Sequence, residues 1–148
     1  MNKKLKLAAI TGALALAAAG TMTIAQLNGE QTAAVAGDFR NAAVAEVHGS
    51  QGQVLMRGSF APADSDDEGE IERLAPLTAV ASEFNSAKGE AEVEYQTDSP
   101  TEQEVELSLT GVPAGTEIGF VIDGQRIATA KADNRGRINI ELAVKAGA

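Results

Sequence analysis

Apolar residues recur at every second position through residues 111–142, which read GVPAGTEIGFVIDGQRIATAKADNRGRINIEL. Strict alternation is typical of a β-strand that buries one face and exposes the other. Each run is short and ends in a turn signal: VPAG at 112–115, Asp123-Gly124, and DNRG at 133–136. Asp-Gly between two alternating runs is the strongest local signal for a two-residue hairpin. This stretch therefore predicts a meander of antiparallel strands.

The same period of two continues upstream, in EAEVEYQ at 90–96 and EVELSL at 104–109. Glutamates occupy alternate positions of both runs, and the apolar residues between them face the other way. With the less regular runs nearer the N-terminus, residues 45–148 hold seven or eight short strands. We expect an all-β fold, a single antiparallel β-sandwich or small barrel.

The alternation also predicts which residues form the core. Gly58 is expected at a β-bulge, and Pro76 at an edge or strand end because it cannot donate a ladder hydrogen bond. The residues expected to point inward are Val54, Met56, Phe60, Ile71, Ala91, Val93, Tyr95, Val105, Leu107, Leu109, Ile118, Phe120, Ile122, Ile127, Thr129, Ile138, Ile140 and Leu142, with Leu74 or Leu77.

The N-terminus has the features of a secretory signal. Three lysines precede an uncharged apolar run at 7–19, and small residues follow, so residues 1–25 are predicted to be removed before Gln26, with Ala18-Ala19-Gly20 as a second candidate cleavage site. The alternative is an uncleaved anchor, because the uncharged stretch is long enough to cross a bilayer, although Ala, Gly and Thr insert less favourably than Leu. Residues 26–44 are alanine-rich without a helical period and are expected to be a flexible linker.

Composition excludes several classes of function. The chain has no cysteine and a single histidine, His48, so neither a zinc site nor a Ser-His-Asp triad is expected, and His48 is interpreted as an ordinary surface or rim residue. The net charge is −9 and tryptophan is absent. Such a surface is repelled by phosphate backbones, so nucleic acid is not an expected partner. A membrane partner is expected only if the N-terminal segment stays uncleaved.

The acidic run DSDDEGEIE at 64–72 is the strongest candidate for a metal site. Aligned to a calcium loop, Asp64, Asp66 and Glu68 take ligand positions 1, 3 and 5, and a glycine follows at position 6. The closing bidentate glutamate of that motif is replaced by Ala75. The competing interpretation is a solvated acidic loop between strands, and no other cofactor is expected.

The alternating glutamates admit two interpretations. Paired carboxylates carry out glycoside hydrolysis, but a general acid needs an apolar or crowded cleft that raises its pKa. Outward positions on strands instead favour a solubilising sheet face that resists edge aggregation. The glutamates concerned are Glu90, Glu92, Glu94, Glu104 and Glu106.

A group of basic residues near the last two hairpins suggests self-association. These residues leave that end less acidic and could complement the glutamates of a second copy. They are Arg126, Lys131, Arg135 and Arg137.

Residues 88–142 resemble a set of small secreted bacterial β-domains of unknown function. The shared frame is a K-G-x-A strand start at Lys88, a G-x-P-A-G turn at 111–115, a D-G hairpin and a closing D-x-x-G-R turn at 133–137. The resemblance implies a secreted β-domain and brings no activity with it. The stretch LTAVASEFNSAKGEAEVEY also resembles CHRD and copper–zinc superoxide dismutase-like β-sandwiches, but the histidines that bind the metals are missing here.

These features together predict a secreted or periplasmic, non-catalytic β-domain with a binding or structural role in the cell envelope. Its partner would be an envelope or extracellular protein, or a second copy of the chain. A calcium-binding module acting through residues 64–72 is the alternative. A hydrolase using paired carboxylates is the third and weakest interpretation, because no catalytic constellation supports it.

Overall fold

The computed structural model describes residues 25–28, 31–65 and 68–145, and it is all-β, as expected. The predicted signal segment therefore lies outside the described residues, except for Ala25. Within the described part, no helix is long and apolar enough to span a bilayer. The strands are β1 (Ala25–Asn28), β2 (Gln31–Ala36), β3 (Val44–His48), β4 (Val54–Ser59), β5 (Asp64–Ser65), β6 (Glu70–Ala79), β7 (Lys88–Gln96), β8 (Glu102–Thr110), β9 (Glu117–Ile122), β10 (Gln125–Lys131) and β11 (Ile138–Lys145), with a 3₁₀ turn at Ser82–Phe84.

The strands form one nearly closed, barrel-like sheet. Its order is β1-β10-β9-β3-β4-β6-β7-β8-β11-β2, and β5 pairs with β6 outside this path. In this order, every strand between β10 and β11 is antiparallel to its neighbours in the sheet. β3, β6, β8 and β10 consequently run in the same direction, and the connections that follow them leave the same end of the barrel.

The core fills the inside of this sheet, and most of the expected inward residues are buried there. Val54 and Ile71 are half-buried, and Tyr95 packs against the core from its margin. Of the two alternatives in β6, Leu77 is buried and Leu74 lies on the outer face opposite Glu92. Alternation thus predicted the buried face of most central strands. In β10 the register shifts between Arg126 and Ala128, so Ala128 and Ala130 are buried and Thr129, which was expected to point inward, is half-buried.

The N-terminal segment corrects the linker prediction for residues 26–44. β1 pairs in parallel with β10 and β2 in parallel with β11, so this segment covers both edges of the sheet. Phe39 and Ala42 are buried in the core. Alanine-rich composition suggested a spacer because it lacks its own period, whereas pairing with strands about a hundred positions away gives the segment its structure.

Gly58 and Pro76 mark a narrow contact between β4 and β6. A Cβ on Gly58 would lie 2.2 Å from the carbonyl oxygen of Pro76, so the close approach requires glycine. The prediction of a bulge at Gly58 is wrong, because Gly58 pairs in register with Ala45. The bulge lies at Leu55, since Val47 pairs with Met56 and His48 pairs with Val54. Pro76 pairs with Glu90 of β7, and β4 pairs with β6 only beyond it, at Thr78 and Ala79.

The Asp123-Gly124 hairpin joins β9 to β10 as predicted. Both residues have positive φ, 48° and 80°, as a tight two-residue turn requires. The Asp123 carboxylate also accepts hydrogen bonds from the backbone N–H groups of Ala43 and Val44, at 2.8–3.1 Å. The turn residue therefore also fixes the start of β3.

Candidate functional site

Six glutamates lie side by side on the outer surface of β6, β7, β8 and β11. One cross-strand row runs from Glu72 to Glu94 to Glu104, and the neighbouring row runs from Glu92 to Glu106 to Glu141. We call this set the glutamate face; its members are Glu72, Glu92, Glu94, Glu104, Glu106 and Glu141. The alternation placed these residues on one outer surface, and the register of four strands brings them together.

The carboxylates of the glutamate face form two groups of three. Glu72, Glu92 and Glu94 form one group, and Glu104, Glu106 and Glu141 form the other. Within each group, one carboxylate oxygen from each residue lies within 4.8 Å of the other two. The three oxygen donors of each group are therefore close enough together to contact a single metal ion.

Crowding raises the pKa of two glutamates of this face, Glu92 and Glu104. Burial, a hydrogen bond with Glu94 and the charges of its neighbours raise the pKa of Glu92 to about 9. Burial, a hydrogen bond with Glu106 and the charge of Glu141 raise the pKa of Glu104 to about 7. Glu92 and Glu104 are thus half-buried and crowded although they point outward, because carboxylates on adjacent strands desolvate and repel one another.

Positive charge does not balance this surface. In the part of the chain that the structure describes, no lysine or arginine forms an ion pair with any of the six glutamates. In the next row, Glu90 lies opposite Ser108, and the Ser108 hydroxyl donates to Asn139 Oδ1 at 3.2 Å. Like charges directly opposite each other destabilise a sheet, so the glutamate face costs folding free energy.

Glu46 on β3 differs from the glutamate face because its carboxylate is paired with basic side chains. His48 Nε2 lies 2.7 Å from its Oε2, and Arg57 Nε donates to its Oε1 at 2.6 Å. The hydrogen bond with His48 and the nearby Arg57 lower the pKa of Glu46 despite its burial. His48 is thus half-buried and paired with a carboxylate.

The predicted calcium loop is a hairpin where the structure describes it. Asp64 lies in β5 directly opposite Glu72, and Glu68 is exposed in the turn before β6. Asp66 lies outside the described residues. Gly69 has a φ of 81°, which the turn itself requires. The loop therefore brings Asp64 beside one edge of the glutamate face.

The four basic residues of the last two hairpins have different surroundings. Arg137 Nε is 3.3 Å from Asp133 Oδ2. Arg126 extends across β9, since a Cβ on Gly119 would lie 2.7 Å from its Nε. Lys131 is exposed at the end of β10, and Arg135 is exposed in the following turn.

Comparison with known proteins gives no match: no family model, no curated protein and no solved structure is similar to this chain. The likeness of residues 88–142 to small secreted β-domains therefore rests on its turn positions.

Proposed function

We propose that the chain is an exported, non-catalytic binding domain of the cell envelope and that its glutamate face binds divalent cations. The observation that carries this proposal is the pair of three-carboxylate groups, each with oxygens within 4.8 Å of one another. The alternating sequence predicted the shared surface, and the export of the domain is inferred from residues 1–25.

The spacing of the oxygens suits calcium. Ca²⁺ takes six to eight oxygen ligands at about 2.3–2.6 Å, so two ligands on opposite sides of one ion lie about 5 Å apart. Three carboxylate oxygens within 4.8 Å can therefore contact one ion, and water would complete its coordination. Mg²⁺ demands a smaller and more regular octahedron, which three side chains on a flat sheet face supply less well.

The energetics favour a counter-ion. At neutral pH the six carboxylates repel one another across β6, β7, β8 and β11 unless protons or cations reduce their charge. A cation that binds the folded face and not the unfolded chain stabilises the fold by mass action. Binding and stability are thus linked at this surface.

Catalysis fits the same residues less well. A general acid with a raised pKa, such as Glu92, is what glycoside hydrolysis requires. A hydrolase also needs a cleft that positions the substrate and excludes water. The glutamate face lies on the outer surface of the sheet, so we favour binding over hydrolysis.

The test is a comparison of melting temperatures at pH 7.5 with chelator and with calcium. We expect calcium to raise the melting temperature of the wild-type protein and to have no effect on the double variant Glu94→Gln/Glu106→Gln. The matched control is Asp66→Asn/Glu68→Gln, which removes the same charge from the acidic loop, keeps Asp64 opposite Glu72 and should respond like wild type. A response lost only in the loop variant would instead place calcium at residues 64–72. The same shift in all three proteins would exclude both sites.

Export is tested separately in the native host. We expect intact-mass measurement of the purified protein to give a chain that begins at Gln26, recovered from the periplasm or the medium. A chain that retains Met1 and sediments with membranes would contradict this part of the proposal and would favour the uncleaved anchor.

A further inference from the structure

One end of the barrel holds a cavity of about 400 Å³. The connections that leave β3, β6, β8 and β10 meet at this end. Backbone hydrogen bonds tie them together, from Val80 N to Leu55 O at 2.9 Å, from Val112 N to Gly136 O at 3.1 Å, and from Gly115 N to Ala132 O at 3.1 Å. The cavity is therefore formed by fixed backbone at a barrel mouth, a common location for small-molecule sites.

The cavity is lined by both apolar and polar side chains. Leu55 and Phe84, each 2% exposed, belong to the core and also line the cavity. The Gln53 side chain folds over Gly49, where a Cβ would lie 2.5–2.7 Å from its amide atoms. Its Oε1 accepts a hydrogen bond from Gln51 N at 3.1 Å. The amide is thus held in one orientation.

Three charged side chains line the opening. Lys131 and Glu117 are direct cross-strand partners, and Glu83 comes from the 3₁₀ turn. The Lys131 Cε lies 3.8 Å from the position of a Cβ on Gly115, so this side chain lies along the 111–116 connection. Among the residues that the structure describes, none of these three charged groups forms an ion pair.

We propose that this cavity binds a small zwitterion with an aliphatic side chain, such as a leucine-like amino acid or a short apolar peptide. Lys131 would bind the carboxylate, and Glu83 with Glu117 would bind the ammonium group. The aliphatic part would contact Leu55 and Phe84. A purely anionic ligand would face two carboxylates, and an uncharged apolar ligand would desolvate three charges without pairing them. The volume lies within the usual range for small-ligand sites.

The test is a titration of the ¹⁵N-labelled protein with leucyl-leucine in chelator, which keeps cation binding at the glutamate face out of the result. We expect saturable amide shifts confined to the four connections, with a Kd on the order of 1 mM. The same dipeptide with an acetylated N-terminus and an amidated C-terminus should bind at least about 10-fold more weakly, because it lacks both charges.

Variants assign the contacts. Lys131→Met and Glu83→Gln should each weaken binding by about 10-fold, as expected for the loss of one charge-assisted contact. Lys145→Met, at the opposite end of the barrel, should bind like wild type. If Lys131→Met fails to fold, the exposed Glu83→Gln alone decides the result. Equal binding of the capped dipeptide, shifts outside the connections, or no shift at about 20 mM ligand would each overturn the proposal.

Discussion

Gln103 Oε1 accepts a hydrogen bond from the backbone N–H of Phe39 at 2.8 Å, which joins β8 to the N-terminal segment across 64 positions of sequence. The amide nitrogen of Gln103 donates to Asp38 Oδ1 at 3.0 Å and to the carbonyl oxygen of Pro100 at 3.2 Å. Gln103 is the one buried polar or charged residue in the described part of the chain, at 5% exposure. Its side chain thus fixes the corner through which the chain enters the barrel.

We expect Gln103→Leu to lower the free energy of unfolding by about 1–3 kcal/mol, since it leaves the Phe39 N–H buried without an acceptor. Urea denaturation measures this difference. The control is Glu102→Gln, because Glu102 is an exposed neighbour on the same strand and should unfold at the wild-type midpoint. Equal midpoints for Gln103→Leu and wild type would mean that water replaces the amide at this corner.

Gln103 also illustrates what the sequence could predict. Its position continues the inward series of Val105, Leu107 and Leu109, so alternation places it inside. A glutamine is an unexpected residue there, and its partner Phe39 lies in a segment that composition presents as a linker. The pairing is non-local, and no local pattern in either segment encodes it.

The glutamate face could also be predicted only in part from the sequence. Alternation predicted correctly that Glu92, Glu94, Glu104 and Glu106 share one surface. It did not include Glu72 and Glu141, and it could not show which glutamates lie opposite each other. That depends on the register of β6, β7, β8 and β11, and a shift of one residue would move every side chain to the other face.

Two glycines with the same backbone conformation should respond differently to alanine. Gly124 and Gly136 have φ values of 80° and 72°. A Cβ on Gly124 would meet nothing within 4 Å, whereas a Cβ on Gly136 would lie 2.2 Å from the carbonyl oxygen of Val112. We expect Gly124→Ala to cost about 1–2 kcal/mol for the left-handed conformation alone, and Gly136→Ala to cost clearly more. Thermal melts of both variants measure this difference, and equal losses would contradict the close approach at Gly136.

A substitution at Phe120 tests whether the alternating apolar residues of 111–142 form the core. Its side chain is fully buried between β3 and β10. Phe120→Ala should therefore cost about 3–5 kcal/mol, the usual effect of deleting a buried phenyl ring. Val80→Ala is the control, because Val80 is 58% exposed and its truncation should change stability by less than about 0.5 kcal/mol. If the Phe120→Ala protein were as stable as the Val80→Ala protein, the side chain of Phe120 would not face the core, and the inward face of β9 would be the other one.

The glutamate face predicts a loss of stability as the pH rises above 5. In the folded protein the pKa values of Glu92 and Glu104 are raised to about 9 and about 7, whereas the pKa of a glutamate in the unfolded chain is about 4.3. The folded state therefore holds protons that the unfolded state has released. This stabilising contribution is complete below about pH 4.3 and is lost as the pH rises through about 7 for Glu104 and about 9 for Glu92.

Measurements should begin at pH 5, because acidic groups with lowered pKa values act in the opposite direction. A hydrogen bond from Arg40 lowers the pKa of Asp38, and a backbone hydrogen bond from Arg137 lowers that of Asp133. Their contributions are present above the unfolded pKa and are lost in acid. The glutamate face therefore governs the slope only on the alkaline side of pH 5.

We expect Glu92→Gln to melt at the wild-type temperature at pH 5 and above it at pH 8.5 in the presence of chelator, because glutamine cannot acquire the charge that its neighbours oppose. Glu104→Gln should show the same gain at pH 7.5. Glu90→Gln is the matched control, since Glu90 is exposed on the same strand as Glu92 and lies opposite Ser108, so its melting temperature should follow wild type at every pH. Calcium should reduce the wild-type slope by supplying positive charge where the protons leave. A wild-type melting temperature that stays constant from pH 5 to 9 in chelator, or an equal gain from Glu90→Gln, would mean that the six carboxylates do not interact as one surface.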